Sequence, residues 1–83
     1  MVCVPSSIHT REYERFRALL TEARKKGGLS QAELAKRLEK PQSFVSKFER
    51  GERRLDVIEF RSVAEALGLD PLRLLRQLYR GAR

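Results

Sequence analysis

The sequence predicts an all-α fold, a compact bundle of five helices around one small core. Three observations carry this reading. Apolar residues recur at helical spacing in successive segments, helix start and stop signals alternate along the chain, and the turns between them are two to five residues long with few β-branched runs. With 83 residues the chain has room for one domain, expected over residues 10–81, after an N-terminal arm over residues 1–9 that lacks helical periodicity.

The first helix is expected over Arg11–Lys26, with Thr10 as its N-cap. Its apolar stripe is Tyr13, Phe16, Leu20 and Ala23, with Leu19 beside it. Arg24, Lys25 and Lys26 suit the negative end of the helix dipole, and Gly27-Gly28 supplies the stop. The second helix is announced by Ser30-x-x-Glu33, a capping box, with Leu29 and Leu34 placed as a hydrophobic staple; it should end near Leu38. The third is expected to open with Pro41 as its first helical residue and to run to Arg50, with Gly51 just past its end. The fourth repeats the start signal as Asp56-x-x-Glu59, stapled by Leu55 and Phe60, with Phe60, Val63, Ala64 and Leu67 inward and Gly68 as the stop. The fifth takes Asp70 as N-cap and Pro71 at its first position, and Gly81 closes it.

Composition narrows the function classes. The formal net charge is +7, which favours a polyanionic partner. That charge is polarised. Residues 36–54 hold Lys36, Arg37, Lys40, Lys47, Arg50, Arg53 and Arg54 against Glu39, Glu49 and Glu52, whereas residues 55–72 hold only Arg61 against four acids. Cys3 and His9 are the only cysteine and histidine, so no metal site of the zinc type and no Cys/His catalytic pair is indicated. No phosphate-cradling glycine loop or paired carboxylate appears, so an enzyme is not expected, and neither a cofactor nor a small-molecule ligand is indicated. No leader-like or membrane-spanning stretch is seen, and a soluble, cytoplasmic protein is the expectation.

The third helix carries the functional argument. Stepped at about 100° per residue, it places Phe44, Val45, Phe48 and Glu49 on one side. Gln42, Ser43, Ser46, Lys47 and Arg50 fill the other as a polar arc of about 140° free of carboxylates. Amide, hydroxyl, ammonium and guanidinium groups can hydrogen-bond base edges and phosphates, so the arc suits double-stranded DNA. Exposed stacking aromatics would favour RNA, but the phenylalanines fall at core spacing.

The runs Leu29-Ser30-Gln31-Ala32-Glu33-Leu34-Ala35 and Gln42-Ser43-Phe44-Val45-Ser46-Lys47-Phe48-Glu49-Arg50-Gly51, continued by Val63-Ala64-Glu65-Ala66-Leu67-Gly68, resemble the XRE family, the phage-repressor and Cro type of helix-turn-helix. The likeness covers about residues 11–78 and implies a lambda-repressor-like fold that binds DNA sequence-specifically. By that resemblance Gln42, Ser43, Ser46 and Lys47 face the bases. Ser30 and Gln31, at the start of the second helix, and Arg50, Arg53 and Arg54 meet phosphates. Arg24 pairs with Glu49 as a structural ion pair. Two departures fall at the turn. Glu39 stands where the family commonly has glycine, which predicts a turn that is wider or uses a different backbone region, and Lys40-Pro41 replaces a serine or threonine N-cap.

On the fifth helix, Leu72, Leu75 and Tyr79 share a stripe expected to close the core. Leu74 and Leu78 fall outside it and are read as a contact of a twofold homodimer. The resulting expectation is a homodimeric transcriptional regulator on a pseudo-palindromic operator, a repressor rather than an activator. The alternative is a protein-interaction module, such as an antitoxin-type partner, on the same fold.

Overall fold

The computed structural model describes residues 10–81, so the arm expected over residues 1–9 lies outside them. Five helices follow one another: α1 (Arg11–Lys26), α2 (Gln31–Leu38), α3 (Gln42–Arg50), α4 (Val57–Ala66) and α5 (Pro71–Gly81). There is no strand among the described residues.

Local chemistry sets most of the boundaries. Thr10 Oγ1 accepts from Tyr13 N at 3.1 Å and starts α1. Both capping boxes close in both directions, Ser30 with Glu33 and Asp56 with Glu59. Asp70 Oδ1 accepts from Leu72 N at 3.0 Å ahead of α5. Pro41 corrects one expectation: it is the N-cap of α3, with extended backbone (φ −67°, ψ 156°), and the helix begins at Gln42. A proline supplies no side-chain cap, so α3 starts without one.

The α2–α3 turn also differs from expectation. It is not widened. Glu39 itself takes the left-handed conformation (φ 58°, ψ 42°) that a glycine would adopt freely. Its N–H donates to Lys36 O, and Lys40 N reaches back to Ala35 O at 3.0 Å, so the carbonyls at the end of α2 are satisfied at the expense of local strain.

The core joins Leu20 of α1, Leu34 and Ala35 of α2, Val45 and Phe48 of α3, Phe60, Val63 and Ala64 of α4, and Leu74 of α5. Helix α2 packs on α3 and α4, α1 lies against α3, and α5 closes the bundle against α1 and α4. Arg37 of α2 donates to Ala66 O at 2.8 Å, capping the end of α4 from a neighbouring helix.

Helix α5 shows the reverse of the predicted face. Leu74 is 7% exposed and belongs to the core, whereas Leu72 is 63% and Tyr79 78% exposed. Leu78 is half-buried and Leu75 exposed. Leu74 therefore serves the core, with Leu78 half-buried on the same side, and the expected closing stripe Leu72, Leu75 and Tyr79 lies in solvent. The reason is geometric. The five side chains cover an arc of about 160°, wider than α1 and α4 can bury, and the half-buried Pro71 falls on the Leu74–Leu78 side.

Candidate nucleic-acid interface

Helix α3 has one face in the core and one in water. Val45 and Phe48 are essentially fully buried, and Phe44 is half-buried with its ring edge-on to Phe48, centroids 5.6 Å apart. On the opposite face Gln42, Ser43 and Lys47 are exposed, and none of their side chains has a partner among the described residues. Ser46 is half-buried, and its hydroxyl turns back to Ser43 O at 3.4 Å. Three of the four candidate base-facing side chains thus project freely, and the fourth is partly withdrawn.

A polar stripe on α1 ties down the end of this helix. Arg24 Nε lies 2.7 Å from Glu49 Oε2 and Nη2 lies 3.0 Å from Oε1, with side chains 9% and 6% exposed. The remaining donor of the fork, Nη1, binds Leu29 O at 2.9 Å. A charge pair this deep holds only if the hydrogen bonds around it are filled. Gln31 Nε2 supplies another, to Glu49 Oε1 at 2.9 Å. Two turns earlier on α1, Arg17 Nη1 donates to the main-chain oxygen of Glu49 at 2.8 Å. Four residues before that, Tyr13 accepts Leu55 N on its hydroxyl at 2.9 Å, tying down the loop after α3.

The start of α2 offers backbone donors. Ser30 Oγ accepts from Glu33 N, and Glu33 Oε1 accepts from Ser30 N, so the capping box consumes two N–H groups. Those of Gln31 and Ala32 are left at the positive end of the helix, where an anion is favoured. The Ser30 backbone N–H holds the Glu33 carboxyl below its ordinary range, so Glu33 is an anion at this end. Ser30 keeps its hydroxyl proton to donate, and Gln31 keeps one amide N–H beyond the bond to Glu49.

The three arginines after α3 have different surroundings. Arg54 is exposed, and its side chain has no ion pair among the described residues. Arg50 is exposed and paired with Glu52 at 3.1 Å, an arrangement that solvent weakens. Arg53 departs from the expected phosphate role. Its Nη1 and Nη2 grip both oxygens of Glu59 at 2.9 and 2.6 Å, its Nη1 also binds Arg54 O, and its guanidinium stacks 4.6 Å from the centre of the Phe44 ring. The two Arg53 hydrogen bonds, more than any other influence, hold the Glu59 carboxyl down to about 2. Arg53 is thereby a brace of the loop that leaves Arg54 pointing outward.

Tyr13, Arg17 and Glu59 hold α3 and the loop after it in place, yet the sequence marked Tyr13 only as core and Glu59 only as a cap. Arg17 carried no role. The available signal was spacing: positions 13, 17 and 24 lie along one face of α1.

Nothing resembling a metal site occurs among the described residues, since no three His, Cys, Asp or Glu side chains converge. No described helix is long and apolar enough to cross a membrane.

Comparison with known proteins bears on this surface. A family model described as helix-turn-helix matches residues 20–74. Among solved structures, an XRE-family like protein from Pseudomonas syringae pv. tomato str. DC3000 is 49% identical, with a TM-score of 0.86 over 93% of this chain and 94% of that one. The clp gene regulator ClgR from C. glutamicum shares the fold at 24% identity, with a TM-score of 0.78 over 90% of this chain and 97% of that one. No curated protein matches the sequence.

Proposed function

The chain belongs to the XRE family of helix-turn-helix proteins, and on that footing we propose that it regulates transcription by binding double-stranded DNA with α3 in the major groove. One observation carries the reading. Gln42, Ser43 and Lys47 stand free on the outer face of a helix whose inner face and only carboxylate are locked to the rest of the fold. Glutamine pairs with adenine and lysine with guanine, and serine pairs with a donor or an acceptor. The N–H groups of Gln31 and Ala32, the Ser30 hydroxyl, Arg50 and Arg54 then meet the flanking phosphates.

One such helix spans only a few base pairs, so we assign the functional unit to a homodimer reading two half-sites about 34–36 Å apart. The contact proposed for the homodimer is the solvent-facing stripe Leu72, Leu75 and Tyr79, which the single chain leaves uncovered. Blocking a promoter by occupancy needs nothing beyond DNA binding itself, and repression is the expected effect.

Selection from random duplexes, followed by gel shift with the purified protein alone, tests the proposal. A pseudo-palindrome with half-sites one helical turn apart is the expected product. Failure to enrich any sequence without a partner protein would overturn it in favour of an interaction module.

A further inference from the structure

We propose that Arg17 is a positioning residue that sets the aim of the recognition helix, so that discrimination between DNA sequences depends on a side chain of α1 that touches no base. The inference rests on the DNA-binding reading above and adds to it the residue that fixes the far end of α3.

Three observations converge on Arg17. Its Nη1 donates to Glu49 O at 2.8 Å across 32 residues of sequence. The last carbonyls of a helix lack partners within it. At this end Lys47 O and Phe48 O are taken by the N–H of Gly51, while Glu49 O is taken by Arg17. A cation there also answers the negative end of the α3 dipole.

Second, Gly51 is buried beneath this guanidinium. A Cβ at Gly51 would lie 2.8 Å from Arg17 Cζ and 3.0 Å from Nη1. The residue combines left-handed backbone (φ 81°) with an empty side, and the second property is the one Arg17 uses.

Third, Arg17 Nε is buried with no hydrogen-bond partner among the described residues. Buried donors are nearly always paired, so burying this one is a cost set against the Nη1 bond to Glu49 O.

Glu49 is consequently gripped at both ends by α1, its carboxylate by Arg24 and its carbonyl by Arg17. The two arginines are seven residues apart on one face of a single rigid helix. Two fixed points define the direction of the last turn of α3, where one would allow it to pivot. The first turn has no side-chain cap to share this work.

The test uses the full chain and two DNAs, the sequence recovered by selection and a scrambled duplex of equal length. Arg17→Met keeps the apolar stem and removes the fork. The ratio of the two affinities is expected to fall about tenfold, the scale of one misaimed base contact, with the salt dependence unchanged. Arg17→Lys, which keeps a donor for the carbonyl, should recover most of the ratio. A merely structural residue would lower the folded fraction, which scales both affinities alike and cancels in the ratio; an unchanged ratio overturns the proposal. Equal weakening of both DNAs with a salt slope reduced by about one would make Arg17 a phosphate ligand and overturn it too. If the wild-type protein selects no sequence at all, the DNA-binding reading itself fails, and Arg17 has nothing to aim. Independently, Gly51→Ala should lower the melting temperature less in an Arg17→Ala background than in the wild type, because only the backbone strain then remains; equal losses would show that the guanidinium does not use the empty side of Gly51.

Discussion

Arg24 and Glu49 form a two-pronged ion pair between the first and third helices, buried from solvent on both sides. Removing one partner strands the other. Arg24→Met is expected to cost about 3–5 kcal/mol, because Glu49 would be left as a buried charge with only Gln31 to bond it. The double variant Arg24→Met/Glu49→Leu should be markedly more stable than Arg24→Met alone, and urea denaturation of the three proteins checks this.

Lys47 and Arg54 should separate specificity from affinity. Lys47→Ala is expected to relax base preference at one position of the selected site, by about 1–3 kcal/mol. Arg54→Ala should weaken all duplexes alike and flatten the salt slope by about one. Binding measured over a library of single-base variants at two salt concentrations distinguishes them, and the same profile for both would refute the division of roles.

The two faces of α5 make opposite predictions. Leu74→Ala is expected to cost about 2–4 kcal/mol in thermal unfolding, as a core truncation. Leu72→Asn and Tyr79→Asn should leave monomer stability within about 0.5 kcal/mol and weaken self-association in sedimentation. Should Leu72→Asn unfold the chain while leaving assembly intact, the orientation of the helix would be wrong.

Glu39→Gly should stabilise the protein. It relieves left-handed strain of about 1–2 kcal/mol against a smaller entropic penalty for glycine, for a net gain of about 0.5–1 kcal/mol. A rise of a few degrees in melting temperature is the expected readout.

Acid should loosen the brace after α3. The folded-state pKa of Glu59 lies at about 2, below the ordinary 4.5, chiefly because Arg53 binds its charged form. Its contribution is fully present above about pH 4.5 and is lost as the pH falls from there toward 2. Since solvent reaches both side chains, the contribution is on the order of 1 kcal/mol. Stability measured from pH 6 down to pH 3 should fall less for Glu59→Gln than for the wild type, from a lower starting value at neutral pH.

What was legible in the sequence was what depends on neighbours a few residues apart. Ser30 with Glu33 and Asp56 with Glu59 announce their helices because the partner groups are three residues apart, and the outward run of Gln42, Ser43 and Lys47 follows from helical spacing alone. Arg53 was not legible, since a guanidinium serves a phosphate or Glu59 equally well and only the path of the loop decides. Leu74 was misread because two adjacent stripes on α5 are equally apolar, and the choice between them belongs to α1 and α4. Pro41 was placed one residue too far inside its helix because a fixed φ suits either position. Arg17 escaped notice because its partner is a backbone carbonyl, which has no residue type.

The exposed side chains of Gln42, Ser43 and Lys47 take no part in the internal ties, which run through Arg17, Arg24, Gln31, Glu49, Tyr13 and the Arg53–Glu59 brace. On the proposed reading, vocabulary and scaffold are therefore separable: those three positions can be rewritten toward other DNA sequences while the frame that carries them stays unaltered.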